Sequence, residues 1–200
     1  MPLLLLRHGQ TAHNAERRFM GVTDIPLNEI GRSQAQQAAQ LLVGNVAAVY
    51  SSPLSRAQQT AHPVGLPLTL VAELAELDQG ELEGMAPAQA LATFPDFFAA
   101  WRRDPFATRV PGGESLGECQ ARARAALDLV IQSHSPDEVV VVVTHQMVIS
   151  ALRCALEERA LTDWRDCLVR NGSLTSVVGR RIARADVLPG EATLAELLAR

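Results

Sequence analysis

The chain alternates between short apolar runs and longer amphipathic stretches, and the change of period from one to the other divides it into elements. Residues 2–6, PLLLL, form an unbroken apolar run of strand length that ends at once in Arg7, His8 and Gly9. Across 33–43, SQAQQAAQLLV sets small and apolar residues at helical spacing, and Gly44 stands where a helix ordinarily stops. VAAVY (46–50) reads as a second strand, and Ser51-Ser52-Pro53 supplies an N-cap and a first-turn proline for a helix through Ala61. LTLV (68–71) is a third strand. Residues 86–108 hold most of the aromatics, among them Phe94, Phe97, Phe98, Trp101 and Phe106, and read as helix broken by prolines. SLGECQARARAALDLVIQSH (115–134) is a long amphipathic helix. EVVVVVT (138–144) is apolar without interruption until its last residue, the mark of a central strand covered on both faces. A further helix follows it, and LTSVVG (174–179) with RIARADVL (181–188) forms a closing pair of strands.

Strands alternating with helices predict an α/β fold, a three-layer sandwich whose mainly parallel central sheet is flanked by helices. One domain over 1–200 is expected, with a helical lid or insertion at about 86–110. In such sheets ligands bind beyond the carboxyl ends of the strands. Three predicted strand ends carry chemistry there. The first ends in Arg7-His8-Gly9, the second leads through Ser51-Ser52-Pro53 to Arg56, and the central one ends in Thr144-His145. Parallel strands bring these to one edge, where two arginines, two histidines and several helix N-termini make an anion pocket. Taken singly, each arginine also reads as a surface charge and each histidine as a structural residue.

Composition narrows the chemistry. Two hundred residues, 48% of them apolar, suffice for a soluble domain with a real core. A formal charge of −4 leaves no broad basic face for nucleic acid. The N-terminal apolar run is too short for a signal peptide, and no stretch approaches the roughly 18 apolar residues of a membrane span, so no membrane association and a cytoplasmic location are expected. Cys119, Cys154 and Cys167 are odd in number and far apart, which fits buried thiols rather than a disulfide framework or a zinc knuckle. All 18 basic residues are arginine. The absence of lysine excludes a P-loop lysine and Schiff-base chemistry, and leaves every fixed cation as an oxyanion-gripping guanidinium. No H-x-x-x-H helix, paired aspartates or cysteine ligands accompany the histidines, so no metal is expected.

With those residues in view, LLRHGQTAHNAERRFMGVTDIPLNEIGRSQA resembles the opening signature of the histidine phosphatase superfamily, the phosphoglycerate mutase-like proteins. SSPLSRAQQTA resembles its second arginine motif, ELAELDQGELEG its acid-bearing loop, PGGESL its Gly-Gly-Glu-Ser turn and VVVTHQMVI its second-histidine strand. R-H-G alone is unspecific, whereas all five motifs in this order cover nearly the whole chain. The resemblance implies a phosphoglycerate mutase-like fold and a metal-independent, cofactor-free phosphomonoesterase acting on a small phosphorylated metabolite. His8 would be the nucleophile that becomes phosphohistidine. Arg7, Arg56 and His145 would hold the equatorial phosphoryl oxygens. Glu76, in L-x-E-x-x-x-G from Leu74 to Gly80, would protonate the leaving alkoxide, with Glu81 as the alternative. Asn14, Gly21, Thr23 and Gln146 would contact substrate. Gly9 would make room for backbone and phosphate, while Glu114, Ser115, Asn171 and Ser173 read as architecture.

Two positions depart from the family pattern. Gln146 and Met147 follow His145 where glycine is frequent, and Met20 stands where many relatives carry glutamine. Both bear on the substrate rather than on phosphoryl chemistry. The compact 86–108 segment favours a histidine acid-type phosphatase over a cofactor-dependent mutase, and an α-ribazole-phosphate or sugar-phosphate phosphatase fits equally. The non-enzyme alternative is an inactive relative serving as a binding module. Monomer and homodimer are both compatible with the sequence.

Overall fold

Leu3, Leu4, Leu5 and Leu6 are all buried in strand β1 (Pro2–Arg7) of the computed structural model, which describes residues 1–199. Val140 to Val143 are equally buried in β4 (Val140–Thr144), which lies beside β1 in parallel. Because strand side chains alternate between faces, such runs need cover on both sides. Leu3, Leu5, Val140 and Val142 pack with helices α6 (Leu116–Gln132) and α7 (Gln146–Leu156). Leu4, Leu6, Val141 and Val143 pack on the other face with α2 (Glu29–Leu42), α3 (Ser55–Ala61) and α8 (Leu194–Leu198). Each buried leucine contributes about 1.5–3 kcal/mol relative to exposure. The result is three layers, helix–sheet–helix, as the alternation of elements predicts.

The sheet runs β3-β2-β4-β1-β5-β6, with β2 (Ala48–Ser51), β3 (Leu68–Leu70), β5 (Leu174–Val178) and β6 (Arg181–Val187). Strands β3, β2, β4 and β1 are mutually parallel; β5 and β6 close one side antiparallel. Register is what matters for chemistry. Arg7 pairs with Thr144 and Ser51 with Val143, so β1, β4 and β2 end at the same level and deliver His8, His145 and Ser52 together.

Local signals explain most helix limits. Thr11 and Asn14 form a reciprocal capping box at the one-turn helix α1 (Ala12–Ala15), and Ser115 and Glu118 form another at the start of α6. Asn28 caps α2 through Gly31 N–H, which starts that helix earlier than its apolar spacing indicates. Pro87 and Pro95 open α4 (Pro87–Thr93) and α5 (Pro95–Arg103), dividing the aromatic segment as the prolines predict. One boundary differs. Helix α3 begins at Ser55, not at the Ser52-Pro53 signal, because the Ser52 hydroxyl is engaged by Leu54 N–H and by His145. The free N–H of Ser55 donates instead to Asp24, 2.7 Å away. Among the described residues no helix is long and apolar enough to cross a membrane.

Candidate active site

Past the end of β1 the backbone remains held on both sides. Arg7 N–H donates to Ser173 O and His8 N–H to Thr144 O, each at 3.0 Å. The His8 ring is 1% exposed, and its Nδ1 lies 2.7 Å from Gly9 O. A carbonyl can only accept, so Nδ1 carries the proton and Nε2 keeps its lone pair. Burial, then Arg7 and Arg56, hold the imidazole pKa well below its ordinary value. A neutral ring with one nitrogen unprotonated is the nucleophilic form. Gly9 itself donates to Thr60 Oγ1 at 3.0 Å, tying the turn to α3. Its missing side chain has a cause the sequence did not reveal: a Cβ there would stand 2.4 Å from Gly31 O in the first turn of α2.

Two guanidinium groups stand behind and beside this ring. Arg7 is buried, donates from Nη1 to Val169 O, and has an Nε with no partner among the described residues. Burial lowers its pKa to about 10, which still leaves it charged at neutral pH. A buried donor without a partner costs about 1–3 kcal/mol, a deficit that a bound anion would remove. Arg56 is wholly buried and commits three of its five N–H donors: Nε to His145 Nδ1, Nη1 to Thr23 O, and Nη2 to Gly21 O. Since His145 Nδ1 accepts from Arg56, the ring proton sits on Nε2 and is donated to Ser52 Oγ at 2.7 Å. Burial and the same arginine keep His145 neutral as well. The two imidazoles are tilted against each other with centroids 5.0 Å apart.

Glu76 is the buried carboxyl of the pocket. It accepts from its neighbour Leu77 N–H at 2.8 Å and from Met147 N–H at 3.2 Å, with no side chain among the described residues bonded to it. Burial raises its pKa, against the opposing pull of those N–H groups and both arginines. Glu81, the alternative acid, is exposed and borders the Gly112 turn instead, so the loop presents one buried acid only. Asn14 Oδ1 accepts from Thr11 N–H, the Thr11 hydroxyl and Asn171 Nδ2, which leaves the Asn14 amide NH2 as a donor.

Arg7, His8, Asn14, Glu76 and Gln146 line one cavity of about 260 Å³, whose apolar side is made by Phe19, Met20, Met147 and Trp164. Arg7 and Gln146 also border an open groove of about 570 Å³ that runs past Gln10, Gln34 and Asn171. Arg56 and His145 lie one layer behind the cavity wall. Gly21 and Thr23 are not on that wall either: their carbonyls hold Arg56, and the N–H groups of Val22 and Thr23 are taken by the Glu83 carboxylate at 2.7 and 2.8 Å. The expected direct substrate contact from Gly21 and Thr23 thus becomes support for Arg56. Residues 86–110 also sit differently from a lid over His8. None of them borders that cavity; Phe97, Phe98, Trp101 and Val110 line a separate apolar pocket of about 120 Å³ that shares Phe19, Gln79, Met147 and Trp164 with it.

Ser52 and Asn171 enter the site by routes that sequence reading assigned to capping and architecture. Ser52 orients His145, and Asn171 Nδ2 bonds both His8 O and Asn14 Oδ1. The signal for Ser52 was its place directly after a strand that ends level with both histidines. The three cysteines are free and buried, and burial pushes Cys154 up to about 12, leaving it protonated at neutral pH. Among the described residues no three His, Cys, Asp or Glu side chains gather as metal ligands.

Comparison with known proteins places these features in company. A family model described as the histidine phosphatase superfamily (branch 1) matches residues 3–184. A bifunctional protein of Mycobacterium tuberculosis is 38% identical over 161 residues, 78% of this chain, and the match spans 44% of that protein's length. Glucosyl-3-phosphoglycerate phosphatase of the same organism is 37% identical over 175 residues, covering 81% of this chain and 78% of that protein. The solved structure of the mycobacterial enzyme with VO3 superposes with a TM-score of 0.83 at 34% identity, over 93% of this chain and 98% of that one. Phosphoserine phosphatase 1 of Hydrogenobacter thermophilus is 33% identical over 159 residues, 77% of this chain and 75% of that protein.

Proposed function

Because the chain belongs to the histidine phosphatase superfamily, we propose that it is a metal-independent phosphomonoesterase that passes the phosphoryl group of a small phosphorylated metabolite through His8. One observation carries this reading: an unprotonated His8 Nε2, a buried arginine and a buried carboxyl of raised pKa share a single cavity. Relatives named as phosphatases of phosphorylated small molecules support it. So does VO3 in a solved relative, since that ion has the trigonal oxyanion form of a phosphoryl group in transfer.

In the first step His8 Nε2 attacks phosphorus in line and the ester P–O bond breaks. Glu76 gives its proton to the departing oxygen, so the alcohol leaves neutral. In the second step the Glu76 carboxylate takes a proton from water as that water attacks the phosphohistidine, which releases phosphate and restores both groups. Charge on the equatorial oxygens is held by Arg7 and by the Asn14 amide as a neutral donor, while Arg56, expected with His145 to contact those oxygens, stands one layer behind and contributes its positive field. His145, kept neutral with its proton directed at Ser52, fixes the Arg56 fork. The leaving alcohol would extend from the cavity into the groove lined by Gln10, Gln34, Gln146 and Asn171, whose amides suit hydroxyl groups; this favours a sugar-phosphate-like substrate.

Rapid quench with labelled substrate tests the reading. An acid-labile, base-stable phosphoenzyme is expected, together with hydrolysis of p-nitrophenyl phosphate in EDTA. Turnover at the wild-type rate in His8→Ala would refute it, and absence of any turnover would favour a binding module.

A further inference from the structure

The segment that carries Glu76 has no sheet ladder to hold it. Ala72–Leu74 is a single 3-10 turn, and the residues after it are extended and irregular. Its carbonyls are bonded by side chains instead. Arg122, from the middle of α6, donates through Nη1 to Glu73 O and Ala75 O at 2.6 and 2.7 Å, and through Nη2 to Glu76 O at 3.0 Å. Thr144 Oγ1 takes the remaining carbonyl, Leu74 O. Glu114 grips the other edge of the same guanidinium through both carboxylate oxygens, and also accepts Asp78 N–H at 3.0 Å. The pair is largely withdrawn from water, with side chains 23% and 15% exposed.

Resting on the reading of Glu76 as proton donor, we infer that Arg122, aligned by Glu114, is the positioning residue that sets the donor's place against the leaving oxygen. The physical reason is that, among the described residues, the Glu76 carboxyl is held only by backbone N–H groups of Leu77 and Met147, so no side chain fixes it from that end. Where the 73–78 backbone goes, the acid goes. The planar fork of arginine can span three carbonyls and a carboxylate at once; an ammonium cannot. A donor misplaced by about 1 Å loses on the order of 10² in rate. That loss falls selectively on alcohols that need a proton in order to leave.

The test compares kcat/KM, which reports the steps up to ester cleavage, for glycerol 2-phosphate and p-nitrophenyl phosphate. Arg122→Lys and Glu114→Gln should each lower kcat/KM for glycerol 2-phosphate by roughly 10–100-fold. For p-nitrophenyl phosphate, whose phenolate leaves unaided, the loss should stay within about threefold by the same geometric argument. Glu76→Gln should show the same split in stronger form. Equal losses on both substrates, or no loss on either, in folded Arg122→Lys or Glu114→Gln would overturn the inference while leaving Glu76 as donor. No split in Glu76→Gln would overturn the donor assignment and the clamp with it. Near-ultraviolet circular dichroism establishes folding, and if Arg122→Lys does not fold, the near-isosteric Glu114→Gln decides.

Discussion

Gly9→Ala adds one methyl group to the residue after the proposed nucleophile, and its effect can be worked from the backbone alone. The new Cβ would lie 2.4 Å from Gly31 O and 2.9 Å from Gly31 C and Cα. None of these atoms belongs to a flexible side chain. The first turn of α2 cannot retreat freely, because Gly31 N–H is bonded to the Asn28 cap at 2.8 Å and Gly31 itself lies against the backbone of Gln10. Ordinary contact begins near 3.4 Å, so the Gly9 backbone must withdraw by about 1 Å. Overpacking of this kind costs about 1–3 kcal/mol, which for a domain of this size lowers Tm by roughly 2–12 °C. Activity should suffer more than stability. Gly9 O fixes the His8 tautomer at 2.7 Å, and a displacement of that size at a reacting group costs on the order of 10². The assay is kcat/KM on p-nitrophenyl phosphate at 25 °C, well below the shifted Tm, alongside a thermal melt. Wild-type kcat/KM in Gly9→Ala would refute the account of why this position has no side chain.

Ser52→Ala should remove the acceptor of the buried His145 proton, costing about 1–3 kcal/mol, and should lower kcat by roughly tenfold as the Arg56 partner loosens. An unchanged urea midpoint together with unchanged kcat would show that the contact orients nothing. Stability should also fall as pH drops below 6.5, the ordinary histidine value. Buried His8 and His145 stay neutral in the folded chain while the unfolded chain binds both protons, so each contributes a slope of about 1.4 kcal/mol per pH unit. Glu76 acts in the opposite sense, because its raised pKa lets the folded chain take up a proton before the unfolded chain does. Glu76 therefore offsets part of the slope set by the two histidines. Urea midpoints that do not fall between about pH 7.5 and 5.5 would contradict the buried neutral histidines.

The centre of the fold was legible because burial on both faces leaves a simple mark. PLLLL and VVVVT admit few polar side chains, and residues at their carboxyl ends must share a level once the strands are parallel. Roles that depend on contacts distant in sequence were not legible. Gly9 is small because of Gly31, and Gly21 and Thr23 serve Arg56 through carbonyls that every residue type possesses. No spacing rule distinguishes a serine that caps a helix from one that receives a histidine proton, so the later start of α3 was hidden in the Ser52 signal. Arg122 did leave a trace. It follows Cys119 by three positions and precedes Ala126 by four, placing a charge beside the buried stripe of α6, where an ion needs a built set of partners.

His8 follows a strand with neighbours on both sides, whereas the loop bearing Glu76 is tethered mainly by side chains. The two halves of the pocket are thus held by different means, one by a ladder of backbone bonds and the other by side-chain bonds together with Leu74 and Leu77 in the core. A substitution that loosens those side-chain bonds would displace the acid while the imidazole stays mounted in the sheet. A molecule in that state could still capture a phosphoryl group, though only from esters whose alcohols depart without help. Sequence drift around that loop would therefore narrow the range of substrates before it silenced the protein.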